Sequence, residues 1–498
     1  MSKTFRPWLV DQPQLLPPSV QEFVPAGHVA HFIREMVRED LDLSAILDTY
    51  GELRGYPPFD PRMMTALLLY GYSRGVYSSR RLAKACEERL DFMAVTAMNR
   101  PDFRTVSEFR RRHLAALAGL FVQVLKLCQK AKLVELGHVA LDGTKMKANA
   151  SKHKAMSYGR MKKTEPELAA EVEGWLKAAE AADSEEDAAL GETRGDEMPD
   201  WVANKAKRRE KIREAMAALE AEAKAEAEEK EAADAEKRAA AEAAGKKPRA
   251  KGGRQPKTPP GTPADKAQRN FTDPESRIMK GRDGFIQGYN AQAAVDAQAQ
   301  VIVAHGLTDC AADSGQLAPM VDAVKANTGQ APAQVSADSG YCSEANIQAM
   351  EDRQIEAFIA TGRQKHGEAA ADGGKSTTPK TEAMRERLRK DGFDSPYRLR
   401  KQTVEPVFGQ IKHARGFRQF LMRGITKVSA EWAMLCTVHN ILKLAGAEPA
   451  ACPPQRTPCC PIGPRSHGSR WRAAGPPQDR QGARPLAWPT SSQRPAVT

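Results

Sequence analysis

The sequence predicts an α/β core built on a mixed sheet with helices on its faces. An all-α region precedes this core and a charged helical insertion interrupts it. Three observations carry this prediction. Apolar residues recur at helical spacing before residue 135. Short apolar stretches ending in small or polar residues, "HVALDGTK" (138–145), "VIVAHGL" (301–307), "AQVSADSGY" (333–341) and "IEAFIAT" (355–361), then read as strands with helical stretches between the later ones. Between the first strand and the rest lies a long Ala, Glu and Lys block that has high helix propensity and almost no large apolar residues.

Residues 1–135 read as one helical region. In "FDPRMMTALLLYGYSRG", Asp60 caps a helix that opens on Pro61, with Met63, Met64, Leu67 and Leu68 on one face. Ser79 is placed as the cap of "SSRRLAKACEERLDFMA". Thr105 and Glu108 form a capping-box pattern before one long amphipathic helix. Residues 161–267 form the insertion, unable to bury a core and expected as a long solvated helix or a weak coiled-coil partner, followed by the linker "GGRQPKTPPGTP". The core itself occupies 136–160 and 268–447. It contains a hairpin turning at Asp296–Gln300, a helix in "DSGQLAPMVDAVKANTG", and another in "SEANIQAMEDR". A polar loop from Gly362 to about Tyr397 follows, then two strongly periodic helices. Residues 448–498, rich in Pro, Arg and Ser, are expected to be disordered, and they read like translation past a frameshift or an ordinary stop. Without the insertion, three antiparallel-capable strands precede parallel crossovers, which is the order of a ribonuclease H-like fold.

Composition narrows the function. A chain of 498 residues exceeds a single core, and two or three domains are expected. The formal charge of +12 favours a polyanionic partner, nucleic acid first. There is no run of eighteen apolar residues, and the first residues lack the apolar stretch of a secretory signal, so a soluble intracellular protein without membrane contact is expected. The eight cysteines include no C-x2-C pair, and His305, Cys310 and Cys342 fit no compact zinc site. Between Arg62 and His113, eleven Arg or Lys face five acids, which suits either a helical module on phosphates or a solvated basic face.

Candidate chemistry rests on carboxylates. Asp142 stands at the end of an apolar strand before Gly143, where an aspartate serves either as a turn residue or as a ligand. Asp338 repeats the arrangement before Ser339 and Gly340. In an open α/β sheet, functional groups gather beyond the carboxyl ends of the strands, so the two aspartates should converge. Carboxylates brought together repel unless a cation lies between them, and hard oxygen ligands suit Mg²⁺ or Mn²⁺. Glu405, in "KQTVEPVFGQIKHARG", lies beside a buried stripe of Val404, Val407, Phe408 and Ile411, with Pro406 starting or bending the helix. It is the single acid among eight Arg or Lys from Arg398 to Lys427. Asp309 and Asp313 lie near a strand end, where they could assist metal binding, but Asp313 is expected to cap the next helix. Asp296 reads as a hairpin-turn residue, His439 as a satisfied, partly buried histidine, and Ser151 and Ser339 as turn or surface residues rather than nucleophiles.

The stretches "ALDGTK", "ADSGY" and "VEPVFGQIK", in that order, resemble the three acidic motifs of bacterial insertion-sequence transposases of the DDE class. The stretch "RGFRQFLMRG…KVSAEWAMLCTVHNILKL" is similar to their carboxyl-terminal continuation, and the early helices resemble the domain that precedes their core, so the likeness covers roughly residues 15–447. It implies Asp142, Asp338 and Glu405 as a catalytic triad holding two Mg²⁺ or Mn²⁺. It implies Lys412 as a phosphate contact and puts Lys401 at the place of an upstream arginine, while Tyr397 falls one residue before the expected tyrosine. The insertion lies between the first two acids, a departure from the best-known relatives. Lys401, Lys412, Arg415 and Arg418, with Arg80, Arg81, Lys84, Arg110 and Arg111 of the early helices, are the expected DNA contacts. The implied partner is double-stranded DNA, both the terminal inverted repeats of the protein's own element and a target. The implied assembly is a homodimer on DNA in the bacterial cytoplasm, nucleoid-associated. The implied reaction is hydrolysis that frees a 3′-hydroxyl, followed by its transfer into target DNA. A metal-dependent nuclease that does not join ends, or a DNA-binding product of a decayed element, would carry the same motifs.

Overall fold

Strand alternation and helix punctuation in the sequence become eight strands and fourteen α-helices in the computed structural model, which describes residues 19–51, 57–190, 200–243, 259–281, 284–362 and 378–447. The first seven helices are α1 (Val29–Glu39), α2 (Ser44–Leu47), α3 (Pro61–Ser73), α4 (Ser79–Glu88), α5 (Leu90–Thr96), α6 (Phe103–Arg112) and α7 (Leu114–Lys130). Asp60 caps α3 as expected, accepting from the Arg62 amide at 2.7 Å. Two boundaries differ from the sequence reading. The long helix after Thr105 is two helices, α6 and α7, meeting at His113. Its cap is Asp102, which accepts from the Arg104 amide at 2.8 Å, while Glu108 pairs with Arg111 instead of closing a box. The cap position of α4 is Ser78, and Ser79 lies inside the helix.

The strands are β1 (His138–Lys147), β2 (Ala155–Ser157), β3 (Gln268–Asn270), β4 (Arg277–Gly281), β5 (Gly284–Asp296), β6 (Ile302–Thr308), β7 (Gln334–Ala337) and β8 (Glu356–Ile359). The main sheet runs β6-β5-β1-β7-β8, with β4 paired to the amino-terminal half of β5. β1 is antiparallel to β5 over Val139–Lys147 but parallel to β7 only over His138–Ala140. The pairing sense therefore changes at β1, and β7 ends just as β1 reaches Asp142. Such a switch point leaves a crevice at the carboxyl ends of the strands. This is the ribonuclease H-like order. Asp296 completes the β5–β6 turn, its carboxylate accepting from the Leu136 and Gln298 amides at 2.8 and 3.0 Å.

The insertion is α8 (Tyr158–Leu190) and α9 (Asp200–Ala243). It buries a small core, contrary to expectation: Met156, Tyr158, Met161 and Leu168 pack with Ile212, Ala215 and Leu219. Two of these residues precede the Ala-rich block, so the hairpin takes part of its apolar surface from its flank. The remaining helices are α10 (Leu317–Thr328), α11 (Glu344–Asp352), α12 (Pro379–Asp391), α13 (Leu399–Gly409) and α14 (Ile425–Ala447). α12 falls within the stretch expected as a loop, of which 363–377 lie outside the described residues, as do 448–498.

One apolar core runs from Val24 to Leu444 and joins the early helices to the sheet. α14 is its axis. Trp432 is fully buried there, stacks on Phe408 of α13 with centroids 6.4 Å apart, and donates to the Gln292 carbonyl of β5 at 3.0 Å. Emptying such a site costs about 3–5 kcal/mol. The early helices are fixed to this axis through polar groups as well. Tyr72 of α3 donates to buried Glu431 of α14 at 3.4 Å, and Tyr77 donates to the Arg415 carbonyl at 2.8 Å. Gly75, at φ +72°, lets that carbonyl come within 2.7 Å of where a Cβ would stand. The helical region is thus a wall of the core. Among the described residues, no helix is long and apolar enough to cross a membrane.

Candidate active site

The apolar run Val139–Leu141 buries the front of β1 and delivers Asp142 to the switch point with its side chain 18% exposed. Asp338 follows β7 directly. It opens a 3-10 turn over Ser339–Tyr341 by accepting from the Gly340 amide at 2.9 Å. Continuing the parallel register sets Asp338 opposite Asp142. Glu405 comes from α13, with its side chain 53% exposed. Pro406 sits inside that helix and withholds the amide that would bond the Gln402 carbonyl. The Gln300 side chain replaces it, donating to that carbonyl at 2.9 Å, and α13 continues unbroken. Beyond Gly409 the chain widens into a π-helical turn, Gln410–Ala414, which redirects Lys412.

Arg400 links the acids. Its guanidinium donates to Asp142 Oδ2 at 2.8 Å and lies 3.6 Å from Glu405 Oε1. Tyr397 lies beside it, with the Arg400 charge 5.9 Å from the ring centre. Arg400 is buried because it heads the stripe Thr403, Val404, Val407 and Ile411 at helical spacing. Burial pushes the Asp142 carboxyl up to about 6; Arg400 opposes this, and the neighbouring Asp338 charge adds to it. Lys412 is pushed down to about 8, also by burial first, with Asp142 holding it up and Lys145 lowering it further. Its ammonium donates to Thr144 Oγ1 and, at 3.0 Å, to the Lys145 carbonyl, so it braces β1 just after Asp142.

Strand alternation divides β1 between two faces. Asp142 and Thr144 meet Arg400 and Lys412. Lys145 points away from them, to Asp313 at 3.1 Å. Asp313 does not cap the next helix: α10 starts after Gln316 without a side-chain cap. Its carboxylate instead accepts from Asn290 at 2.6 Å and Gln292 at 2.8 Å. Tyr341, buried beside them, donates to Gln292 Oε1. Its hydroxyl is raised well above the ordinary range by burial and by the charges of Asp313, Asp142 and Asp338.

Several expected DNA contacts lie elsewhere. Arg110 is buried and spends donors on Tyr72 Oη (3.2 Å), the Tyr77 carbonyl (2.9 Å) and Ser79 Oγ (3.2 Å), bonds that a phosphate would have to compete with. Arg415 turns inward to the Gln410 carbonyl and to His439 Nδ1, both at 3.3 Å. Lys401 is exposed, whereas its neighbour Arg400 occupies the acid site; Tyr397 and Arg400 both stand one residue earlier than expected and keep their mutual spacing. Arg80, Arg81, Lys84, Arg111 and Arg418 are exposed, with Lys84 and Arg111 paired to Glu88 and Glu108 and Arg418 against His413. Sequence reasoning missed Arg400 as an acid-site residue and misread Asp313. The first was detectable as a cation four residues before Val404 on the buried stripe.

Hard carboxylate oxygens, two of them crowded enough for one charge to raise the other's proton affinity, suit a divalent cation. The guanidinium between Asp142 and Glu405 marks where positive charge is stabilised. Arg400 fills that space, and among the described residues no three His, Cys, Asp or Glu side chains are close enough to share one ion as they stand. The acids therefore fit a metal only once Arg400 yields some of that space.

Comparison with known proteins gives two family matches. Residues 18–112 match the family described as a transposase domain (DUF772), and residues 363–445 match one described as a transposase DDE domain. The second match contains Arg400, Glu405 and Lys412, whereas Asp142 and Asp338 lie outside both. No curated protein and no solved structure matches the chain.

Proposed function

Because the two matched domains support an insertion-sequence transposase of the DDE class, we propose that this chain cuts the ends of its element and transfers the freed 3′-hydroxyl into target DNA. The observation that supports the proposal is that Arg400 bonds Asp142 of β1 at 2.8 Å and lies 3.6 Å from Glu405 of α13, while Asp338 follows the end of β7, the strand parallel to β1. Asp142, Asp338 and Glu405 would hold two Mg²⁺ or Mn²⁺. When bound, such ions lower the pKa of water and stabilise the leaving oxygen of a phosphodiester.

The chain's own groups orient the reaction. Before metal binds, Arg400 would favour the ionised form of Asp142 while Glu405 stays open to solvent, and it would give up part of that space to the ions. Lys412 fixes the strand end and, being beside the acids, is placed to take a phosphate oxygen from the scissile strand. Exposed Arg80, Arg81, Lys84, Arg111 and Arg418 would carry the duplex backbone, the family's double-stranded DNA being the partner. Water is the first nucleophile and the DNA 3′-hydroxyl the second, so no covalent link to the enzyme forms.

The test is Mg²⁺-dependent cleavage and joining of the element's end DNA by the wild type and by Asp142→Asn, Asp338→Asn and Glu405→Gln, with DNA binding followed in parallel. Loss of both reactions with binding retained is expected for each variant. Cleavage at the wild-type rate by any one removes that residue from the triad, and cleavage without joining by the wild type would make the protein a nuclease.

A further inference from the structure

The glycines that follow the two aspartates share a neighbour. A Cβ on Gly143 would meet Asp313 Oδ1 at 2.6 Å, as well as the Gln292 amide. A Cβ on Gly340 would stand 3.2 Å from Asp313 Oδ2 and 3.1 Å from Asp338 Oδ1. The Asp313 carboxylate thus fills the space that side chains at both turns would need, and it lies beside Asp338. Lys145 pairs with it at 3.1 Å, with side chains 21% and 14% exposed. Asn290 and Gln292 hold the other oxygen, and fully buried Asn290 leaves its own Oδ1 without a partner beside Gly143. Lys145 is three residues from Asp142 and on the opposite face of β1, and among the described residues Asp313 is the acid that pairs with it.

We propose that Asp313 is a positioning residue of the acid site. It anchors the Lys145 ammonium on the far face of the sheet, supports the turns carrying Asp142 and Asp338, and so keeps a mobile positive charge from neutralising the acids that are to bind cations. The proposal rests on the triad reading above. Asp338 Oδ1 and Asp313 Oδ2 both stand against the same point beside Gly340, at 3.1 and 3.2 Å, so a lysine released from Asp313 would have the Asp338 carboxylate close by, and an ammonium there opposes a divalent ion by direct repulsion. A neutral amide in place of Asp313 keeps the volume but loses the anchor.

The experiment is Mn²⁺ binding to the full chain without DNA, read by the electron paramagnetic resonance signal of free Mn²⁺. Unfolding midpoints are recorded for every variant. Asp313→Asn should weaken binding about tenfold, the order expected for one added charge near the acids. Asp313→Asn with Lys145→Met should restore it to within about threefold, because the released charge is gone. Unchanged binding in Asp313→Asn overturns the proposal. So does failure of the second substitution to restore binding, which would make Asp313 a direct ligand or a purely structural residue. Asp142→Asn is the control for the triad: if it binds Mn²⁺ as the wild type does, the triad reading itself fails, whatever Asp313 does.

Discussion

Replacing Arg110 by Met separates a structural cation from a DNA contact. The guanidinium makes three hydrogen bonds, to Tyr72, Tyr77 and Ser79, and Tyr72 passes the contact on to Glu431, which is fully buried and whose carboxyl is raised by burial while Arg110 opposes the rise. Hydrogen bonds to a charged group contribute about 1.5–3 kcal/mol each. Their loss is partly offset by the methionine filling the space, and it is increased by leaving Glu431 without its compensating charge. The expected net loss is about 3–5 kcal/mol, as for a buried pair broken from one side. Denaturant unfolding at pH 7 measures it. A cycle with Tyr72→Phe should show coupling above ~0.5 kcal/mol, since the two residues share one network. Salt-dependent DNA binding is the second readout. Each phosphate contact contributes about 0.9 to the slope of log affinity against log salt. Arg110→Met should leave that slope unchanged, whereas Arg80→Ala or Arg81→Ala should reduce it. A stability loss below ~1 kcal/mol, together with a slope reduced by about one contact, would refute the structural assignment.

Two other outcomes follow from the same packing. His439 is buried as the neutral ring, with Nε2 against the Gln300 carbonyl at 2.9 Å and Nδ1 facing Arg415; burial first, then Arg415, lower it to about 3. Its folded pKa lies below the unfolded value near 6.5, so the unfolded chain takes the proton first. The stabilisation is complete above pH ~6.5 and is lost toward pH ~3, at about 1.4 kcal/mol per unit. His439→Gln should flatten the stability profile by that slope between pH 6 and 4.5, and an unaltered profile would show that the ring is not buried neutral. Gln300→Ala should cost more by about 1 kcal/mol in the wild type than beside Pro406→Ala, which restores a backbone donor to the Gln402 carbonyl, the bond from Lys443 to Gln300 (2.8 Å) being lost in both backgrounds. Equal costs in both backgrounds would mean that the glutamine does not compensate for the proline.

Much of this protein was legible as local pattern. Alternation in "HVALDGTK" and "AQVSADSGY", the Asp60–Pro61 helix start and the stripe through Val404 and Ile411 each depend on residues a few positions apart, because burial on one face imposes a period of two or 3.6. The order of strands then constrains the sheet, since three hairpin-ready strands before crossovers have few ways to pack. Asp142 and Asp338 stood out because they repeat one strand-end arrangement, and Glu405 because it is the single acid of a basic stretch, but their reading as a triad came from the resemblance. What the tertiary structure decided concerns groups whose meaning depends on a distant partner. Arg110 and Arg111 are adjacent and chemically alike, yet one is locked under Tyr72 and the other lies in solvent, because α6 presents one face to α3 and α4. Arg400 and Lys401 differ in the same way, since a single step around α13 separates the acid site from water. Asp313 looks like a cap from its neighbours and becomes an anchor for Lys145 only when β1, β5 and the loop before α10 meet across a separation of 168 residues. A sequence specifies periodicity residue by residue, but which of two like charges is desolvated is a property of the packed surfaces, and that choice decides their roles.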